Sequence, residues 1–334
     1  MSGVDDRREA PVSSGVPERV GVLGGGRMGA GIAHAFLLAG AAVTVVERDD
    51  EAADAARARV RSAIDASVQR GTIEGSADDL AKQLSTATST DAFGSCGLVV
   101  EAVPEDRDLK VDALRRAESA LADDAVLASN TSSISIDELA GALRSPDRFL
   151  GMHFFNPVPA SSLVEVVTGA ATLPEVVTTA QGWVAAIGKT PITVSDAPGF
   201  ASSRLGVALG LEAIRMLEEG VASAEDIDAA MVLGYKHPVG PLRLTDLVGL
   251  DVRLGIAEYL HEHLGARFEP PALLRSMVAA GRLGRKSGRG FYDWPDAQAQ
   301  TSPTTRTTQT SPTTQTTQTT SSTDSHPATP EVHR

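Results

Sequence analysis

Cysteine is almost missing from this chain: of 334 residues, only Cys96 is one. An internal disulfide and a metal site built from several thiolates are therefore excluded. Cys96 stands at the mouth of the apolar run Leu98–Val100, where its expected role is that of a small buried residue. Runs of lysine and arginine are absent as well, and 30 basic against 43 acidic residues give a formal net charge of −13. That balance disfavours non-specific binding to nucleic acid. No segment is apolar over enough residues to span a bilayer, and Met1–Glu18 mixes charge with Ser, Gly and Pro where a signal peptide needs an apolar centre. The sequence thus reads as a soluble cytoplasmic protein with neither membrane nor nucleic acid among its partners. With 42% hydrophobic residues it is long enough to bury a sizeable core and suits two domains better than one.

What is present begins with a strand, a glycine turn and a helix. Arg19–Leu23 is a short apolar strand that runs into Gly24–Gly29, and Ala30–Ala39 carries a helical pattern. Gly24, Gly26 and Gly29 satisfy G-x-G-x-x-G: the first permits a tight turn, the second lets backbone approach a pyrophosphate, the third packs helix against strand. Alone, such a pattern is weak, because glycine-rich loops also arise for purely steric reasons. Its context is stronger. Ala42–Val46 is the next strand, and Glu47 at its end stands where an acid binds the adenine ribose 2′-hydroxyl and repels a 2′-phosphate, which favours NAD over NADP. A plain surface carboxylate is the other reading of Glu47, and Arg48 beside it is the one residue able to soften the preference.

Asp50–Arg70 has a strong helix-forming composition that Gly71 closes. A third strand over Gly97–Val103 and a fourth over Ala125–Ser129 lead to Glu105 and to the cluster Asn130–Ser133. Alternation of strand and helix predicts an α/β fold with a Rossmann-type, doubly wound, mainly parallel sheet, whose ligands lie at the carboxyl ends of the strands. Ser135 with Glu138 makes a capping box for a short helix, a role that does not require Ser132. Phe149–Phe155 is the next strand, interrupted by His153 and ended by Asn156 and Pro157. By itself a histidine in such a run is more often a satisfied core residue. Glu165 shifts that weighting, because it sits in the middle of Leu163–Val167, a strand that would return beside the first, and a buried carboxylate is costly unless paired. A histidine oriented by a carboxylate is what a general base near neutral pH requires.

Together, Gly24–Gly31, Glu101–Glu105, Ser129–Ser133, His153–Pro159 and Leu163–Val167 closely resemble the L-3-hydroxyacyl-CoA dehydrogenases, including the 3-hydroxybutyryl-CoA dehydrogenases. The likeness continues through Ala197–Phe200, Pro238–Leu242, Asp246–Asp251 and Gly288–Tyr292 and covers about residues 18–294. It implies an NAD-dependent oxidoreductase of fatty acid metabolism that reversibly converts an L-3-hydroxyacyl thioester, short-chain acyl-CoA foremost, to the 3-oxoacyl form. On that likeness His153 is the base, Glu165 its orienting partner, Ser132 the donor to the oxygen at C3, and Asn156 a substrate-binding, site-ordering group. Met28 joins Gly24, Gly26, Gly29 and Glu47 at the cofactor. Glu105 and Lys110 match positions near its nicotinamide end, with a solvated helix face as the other reading of Lys110, and Arg70 falls about where the family places a basic residue toward the coenzyme A phosphates. One departure stands out: where the family reads Pro-Gly-Phe, two variable residues and Asn-Arg, this chain has Ser203 in place of the asparagine. Ser203 keeps a second substrate open, a hydroxyacyl group tethered to an acyl carrier protein. A dinucleotide-binding protein that has lost its chemistry is a third reading.

After Asp196 the pattern turns to helices alone, in a run over Ala201–Glu219, a helix capped by Ser223 with Asp226, and apolar segments over Leu242–Leu264 and Pro271–Ala280. The family implies a homodimer formed through this part. His261 and His263 are two apart and point to different faces, which argues against a metal pair, and His237 before a proline is a loop residue. From about Pro295 the chain becomes a Thr/Ser/Gln/Pro tract too polar to repay its ordering entropy. The expected organisation is a disordered arm over 1–17, an NAD-binding domain over 18–197, a smaller all-helical substrate and dimerisation domain over 198–294, and a disordered tail over 295–334.

Overall fold

The structure, a computed structural model, describes residues 15–72 and 76–295. Apart from residues 15–17 and 295, the two termini expected to be disordered lie outside the described residues.

Eight strands form one sheet in the order β3-β2-β1-β4-β5-β6-β7-β8: β1 (Arg19–Leu23), β2 (Ala42–Val46), β3 (Leu84–Ala87), β4 (Leu98–Glu101), β5 (Val126–Ser129), β6 (Phe149–Phe154), β7 (Leu163–Thr168) and β8 (Thr190–Ser195). Every neighbouring pair is parallel except β6 and β7, which run antiparallel. The central strands are buried on both faces, which is why they read as unbroken apolar runs. Helices α1 (Arg27–Leu38), α2 (Asp50–Gln69) and α6 (Pro174–Ala186) cover one face; α4 (Arg107–Ala120) and α5 (Ile136–Ala140) cover the other, and α3 (Ala77–Lys82) precedes β3. In α2 the buried residues Ala53, Ala56, Val60, Ile64 and Ser67 recur at helical spacing, and Asp49 caps its start by accepting from Ala52 N (2.8 Å). Cys96 is buried, as its position implied.

Four elements that the sequence did not announce complete the sheet portion: α3, β3, α6 and β8. Downstream lie α7 (Ser202–Glu218), α8 (Ala224–Ala229), a π-helical turn over 230–234, α9 (Pro241–Val248), α10 (Leu250–Leu264) and α11 (Ala272–Ala279). The single apolar segment expected over 242–264 is two helices, because Gly249 adopts φ +108° between them, a conformation that ends α9 and starts α10. Val207, Leu211 and Ile214 of α7 are fully buried against Leu250, Ala257 and Leu260 of α10, and each such aliphatic group contributes roughly 1.5–3 kcal/mol relative to exposure. Residues 290–294 close this portion. Asp246, 1% exposed, accepts from Phe291 N and Tyr292 N (both 2.9 Å) and from Trp294 Nε1 (2.8 Å).

Between α1 and α2, His34 is buried with Nε2 3.0 Å from Ser67 Oγ. Burial, helped by the charges of Arg70 and Lys189, holds its pKa below the ordinary value of 6.5. The unfolded chain therefore binds this proton first. The stability that His34 contributes is complete above about pH 6.5 and is lost as the pH falls through the depressed folded value. Chemical denaturation at two pH values is expected to show a fall in stability on the acid side that a His34→Gln variant reduces.

Candidate active site

The turn after β1 is shaped by contacts that only glycine tolerates. Gly24 has φ +94°, and a Cβ there would lie 3.0 Å from the Ala102 carbonyl; a Cβ on Gly29 would lie 1.8 Å from Gly24 O. Gly26, by contrast, faces open space with no heavy atom within 4 Å of a built Cβ. It precedes α1 without a side-chain cap, so the first N–H groups of that helix are free to meet an anion. This is a cradle a pyrophosphate fits. Glu47 follows β2, and its Oε1 accepts from Gly25 N at 2.7 Å, which fixes the carboxylate beside the glycine turn. A cleft of about 1120 Å³ runs from Gly24, Gly26, Met28 and Glu47 to Glu105 and Ser132, with Val252 and Ile256 of α10 in its wall.

Beneath its far end lies a buried chain of charges. Glu101, at the end of β4 and 0% exposed, accepts from Lys110 Nζ (2.8 Å), Ser129 Oγ (2.6 Å) and Val103 N (2.7 Å). Lys110 also reaches Val103 O (3.2 Å) and Glu105 Oε2 (3.3 Å). The other oxygen of Glu105 accepts from Thr131 Oγ1 (2.7 Å), Ser132 N (2.8 Å) and Ser133 N (3.2 Å) and so shapes the turn that carries Ser132. Burial pushes the Glu105 carboxyl up, but Lys110 and these donors outweigh it and hold the group below the usual range. Lys110 is 1% exposed, so the solvated helix face is excluded; its ammonium is spent on Glu101, Val103 and Glu105 and meets the cleft through Glu105.

His153 and Glu165 face each other across the antiparallel pair, in register on β6 and β7. His153 Nδ1 lies 2.7 Å from Glu165 Oε2, and the two residues are 4% and 0% exposed. Glu165 has further donors: Ser202 Oγ to Oε2 (2.7 Å), and Ser202 N (2.8 Å) and Ala201 N (3.2 Å) to Oε1. Burial pushes this carboxyl up too, yet the bonds from His153 and Ser202 hold it below its ordinary value. An ionised Glu165 accepts only, so Nδ1 carries the proton and donates, and Nε2 is left with a free lone pair. Phe155 and Phe200 pack on the imidazole, with ring centroids 4.5 and 5.8 Å away. Asn130 ties this strand to the Ser132 turn by accepting from Phe154 N at 2.8 Å.

Asn156 directly follows β6, two residues past Phe154. Ser203 is half-buried in the first turn of α7, next to Ser202. Arg70 is not in the cleft: it ends α2 with its guanidinium on Ser67 Oγ (3.3 Å). Glu101 and Ser202 were not singled out in the sequence, although Glu101 is a carboxylate closing an apolar strand nine residues before a lysine. Among the described residues no group of three or more His, Cys, Asp or Glu is placed to hold a metal ion.

The chain is similar to known proteins over most of its length. The family model for the NAD binding domain of 3-hydroxyacyl-CoA dehydrogenase matches residues 19–197, and that for its C-terminal domain matches 199–294. A 3-hydroxybutyryl-CoA dehydrogenase of Mycobacterium tuberculosis is 43% identical over 281 residues, covering 83% of this chain and 98% of that protein. The human mitochondrial hydroxyacyl-coenzyme A dehydrogenase is 39% identical over 292 residues, covering 84% and 92%. A crystal structure of (S)-3-hydroxybutyryl-CoA dehydrogenase from Ralstonia eutropha superposes with a TM-score of 0.79 at 40% identity, covering 83% of this chain and 99% of that one. With its two family models matching residues 19–197 and 199–294, the chain belongs to the 3-hydroxyacyl-CoA dehydrogenase family.

Proposed function

We propose that this NAD-dependent 3-hydroxyacyl-CoA dehydrogenase acts on short-chain L-3-hydroxyacyl-CoA with His153 as its general base. The observation that carries the reading is the 2.7 Å bond between His153 Nδ1 and a fully buried Glu165. In the oxidising direction Nε2 takes the proton of the 3-hydroxyl while Glu165 stabilises the imidazolium that forms; in the reducing direction the imidazolium returns it. Ser132 supplies a hydrogen bond to the oxygen at C3, and Asn156 orders the substrate beside it; neither adds a competing charge. NAD, when bound, accepts the hydrogen and electron pair leaving C3. Gly24, Gly26 and the N-terminus of α1, with Met28 in its first turn, would hold its pyrophosphate, Glu47 its adenine ribose, and Glu105 would border its nicotinamide, backed by Lys110. Arg70, outside the cleft, is left to the coenzyme A phosphates.

The shorter Ser203 favours a second reading, in which the acyl group arrives on an acyl carrier protein. Exposed apolar side chains on the helical portion, Leu205 (71%), Leu233 (70%) and Tyr235 (75%), support a homodimer formed there. No described helix is long and apolar enough to cross a membrane.

NADH formation with the (S) and (R) isomers of 3-hydroxybutyryl-CoA, then with longer acyl-CoAs and with the same group on a carrier protein, tests these readings. The (S) isomer is expected to turn over at least about 100-fold faster than its mirror image. Turnover of the carrier-bound group alone would move the assignment to the second reading, and cofactor binding without any turnover would overturn both.

A further inference from the structure

The carboxylate that orients the base does a second job. Helix α7 starts at Ser202, and its N-cap residue, Ala201, has no side chain able to cap it. The missing acceptor comes from Glu165, whose Oε1 takes the N–H groups of both Ala201 (3.2 Å) and Ser202 (2.8 Å). Its Oε2 takes Ser202 Oγ at 2.7 Å, on the same oxygen that His153 Nδ1 meets at 2.7 Å. A bond to histidine alone would fix one oxygen and leave the carboxylate free to turn about its last torsion. Four donors on two oxygens remove that freedom, and the positive end of a 17-residue helix favours the ionised form.

We propose that Ser202 is a positioning residue for the general base: its hydroxyl and amide set the plane of the Glu165 carboxylate, which ties the aim of the His153 imidazole to the seating of α7 on the sheet. This rests on the reading of His153 as the base.

The test uses Ser202→Ala and Ser202→Gly, which lose the hydroxyl and keep the amide, Ser202→Thr, which keeps both, and His153→Ala as the control on the underlying reading. For Ser202→Ala and Ser202→Gly, kcat for oxidation is expected to fall about tenfold, with the KM values for acyl-CoA and NAD within about twofold of the parent. Ser202→Thr is expected to recover most of kcat. A lowered melting temperature with kcat unchanged in the alanine and glycine variants would show Ser202 to be merely structural and overturn the proposal. An active His153→Ala enzyme would instead overturn the assignment of the base.

Discussion

Replacing His153 by alanine is expected to lower kcat in both directions by about 10²–10⁴-fold, while the dissociation constant for NADH stays near that of the parent. The separation follows from the layout. The glycine turn and Glu47 lie at one end of the cleft, Glu105 and Ser132 at the other, and the base stands on β6 beyond them. Glu165→Gln is the sharper variant, because an amide can donate to Nδ1, which puts the ring proton on Nε2 and leaves no lone pair there to act as base; carboxylate-to-amide changes of this kind cost up to about 10⁴-fold. The sign of the pH dependence is set by the same bond. Glu165 has a depressed pKa in the fold, so its support for the imidazolium is present above its ordinary range and is lost as the pH falls through the folded value. Oxidation needs neutral His153, so its rate rises with pH over the acid limb. Reduction needs the imidazolium and falls over the same interval. Steady-state kinetics in both directions, with NADH affinity from fluorescence titration, check each statement.

The second large effect is on stability. Lys110→Met removes the one cation among the described residues that reaches Glu101, a carboxylate with 0% exposure. Stripping one partner from a buried ion pair leaves an uncompensated charge and costs about 3–5 kcal/mol, which for a chain of this size lowers the melting temperature by about 10 °C. Glu105 keeps its Thr131 and Ser132 bonds but loses its cation, so KM for NAD is expected to rise as well. The double variant Lys110→Met, Glu101→Gln discriminates between causes: with both charges gone, much of the lost stability returns. Thermal melts of the three proteins suffice, and a single variant as stable as the parent would show that the triad carries no net stabilisation.

The parts legible in the sequence were those whose signal is local. Gly24, Gly26 and Gly29 mark the turn because their spacing answers to contacts within a few residues. His153 and Glu165 were legible for a second reason: each is a polar residue in an apolar strand, and two such anomalies invite each other. The strands that escaped notice lie on the two edges of the sheet. In β3 only Leu84 is buried, and β8 carries Pro191 and no fully buried residue, so neither needed an apolar run. Helix α6 mixes Val, Thr and Gly, poor helix formers that tertiary packing overrides. For Lys110 a solvated face stood beside the reading at the cofactor's nicotinamide end, because its charge suits water. What buries it is a carboxylate on the preceding strand, and the helical pattern around the lysine does not show that its side chain folds back onto that strand. Ser202 was hidden for the same reason, since its partner lies 37 residues away.

The clasp around Asp246 bears on something other than catalysis. A chain released at Gly290 would contain α7 to α11 entire, yet it would lack the Phe291 and Tyr292 amides and the Trp294 indole that this 1%-exposed carboxylate accepts from. Asp246 would lose these three donors together and open to water, a loss on the order of a few kcal/mol out of the small margin by which a domain stays folded. Residues 291–294 are thus part of the helical core although they form no helix, and a chain ending at Gly290 is expected to melt at a lower temperature than one that includes Trp294.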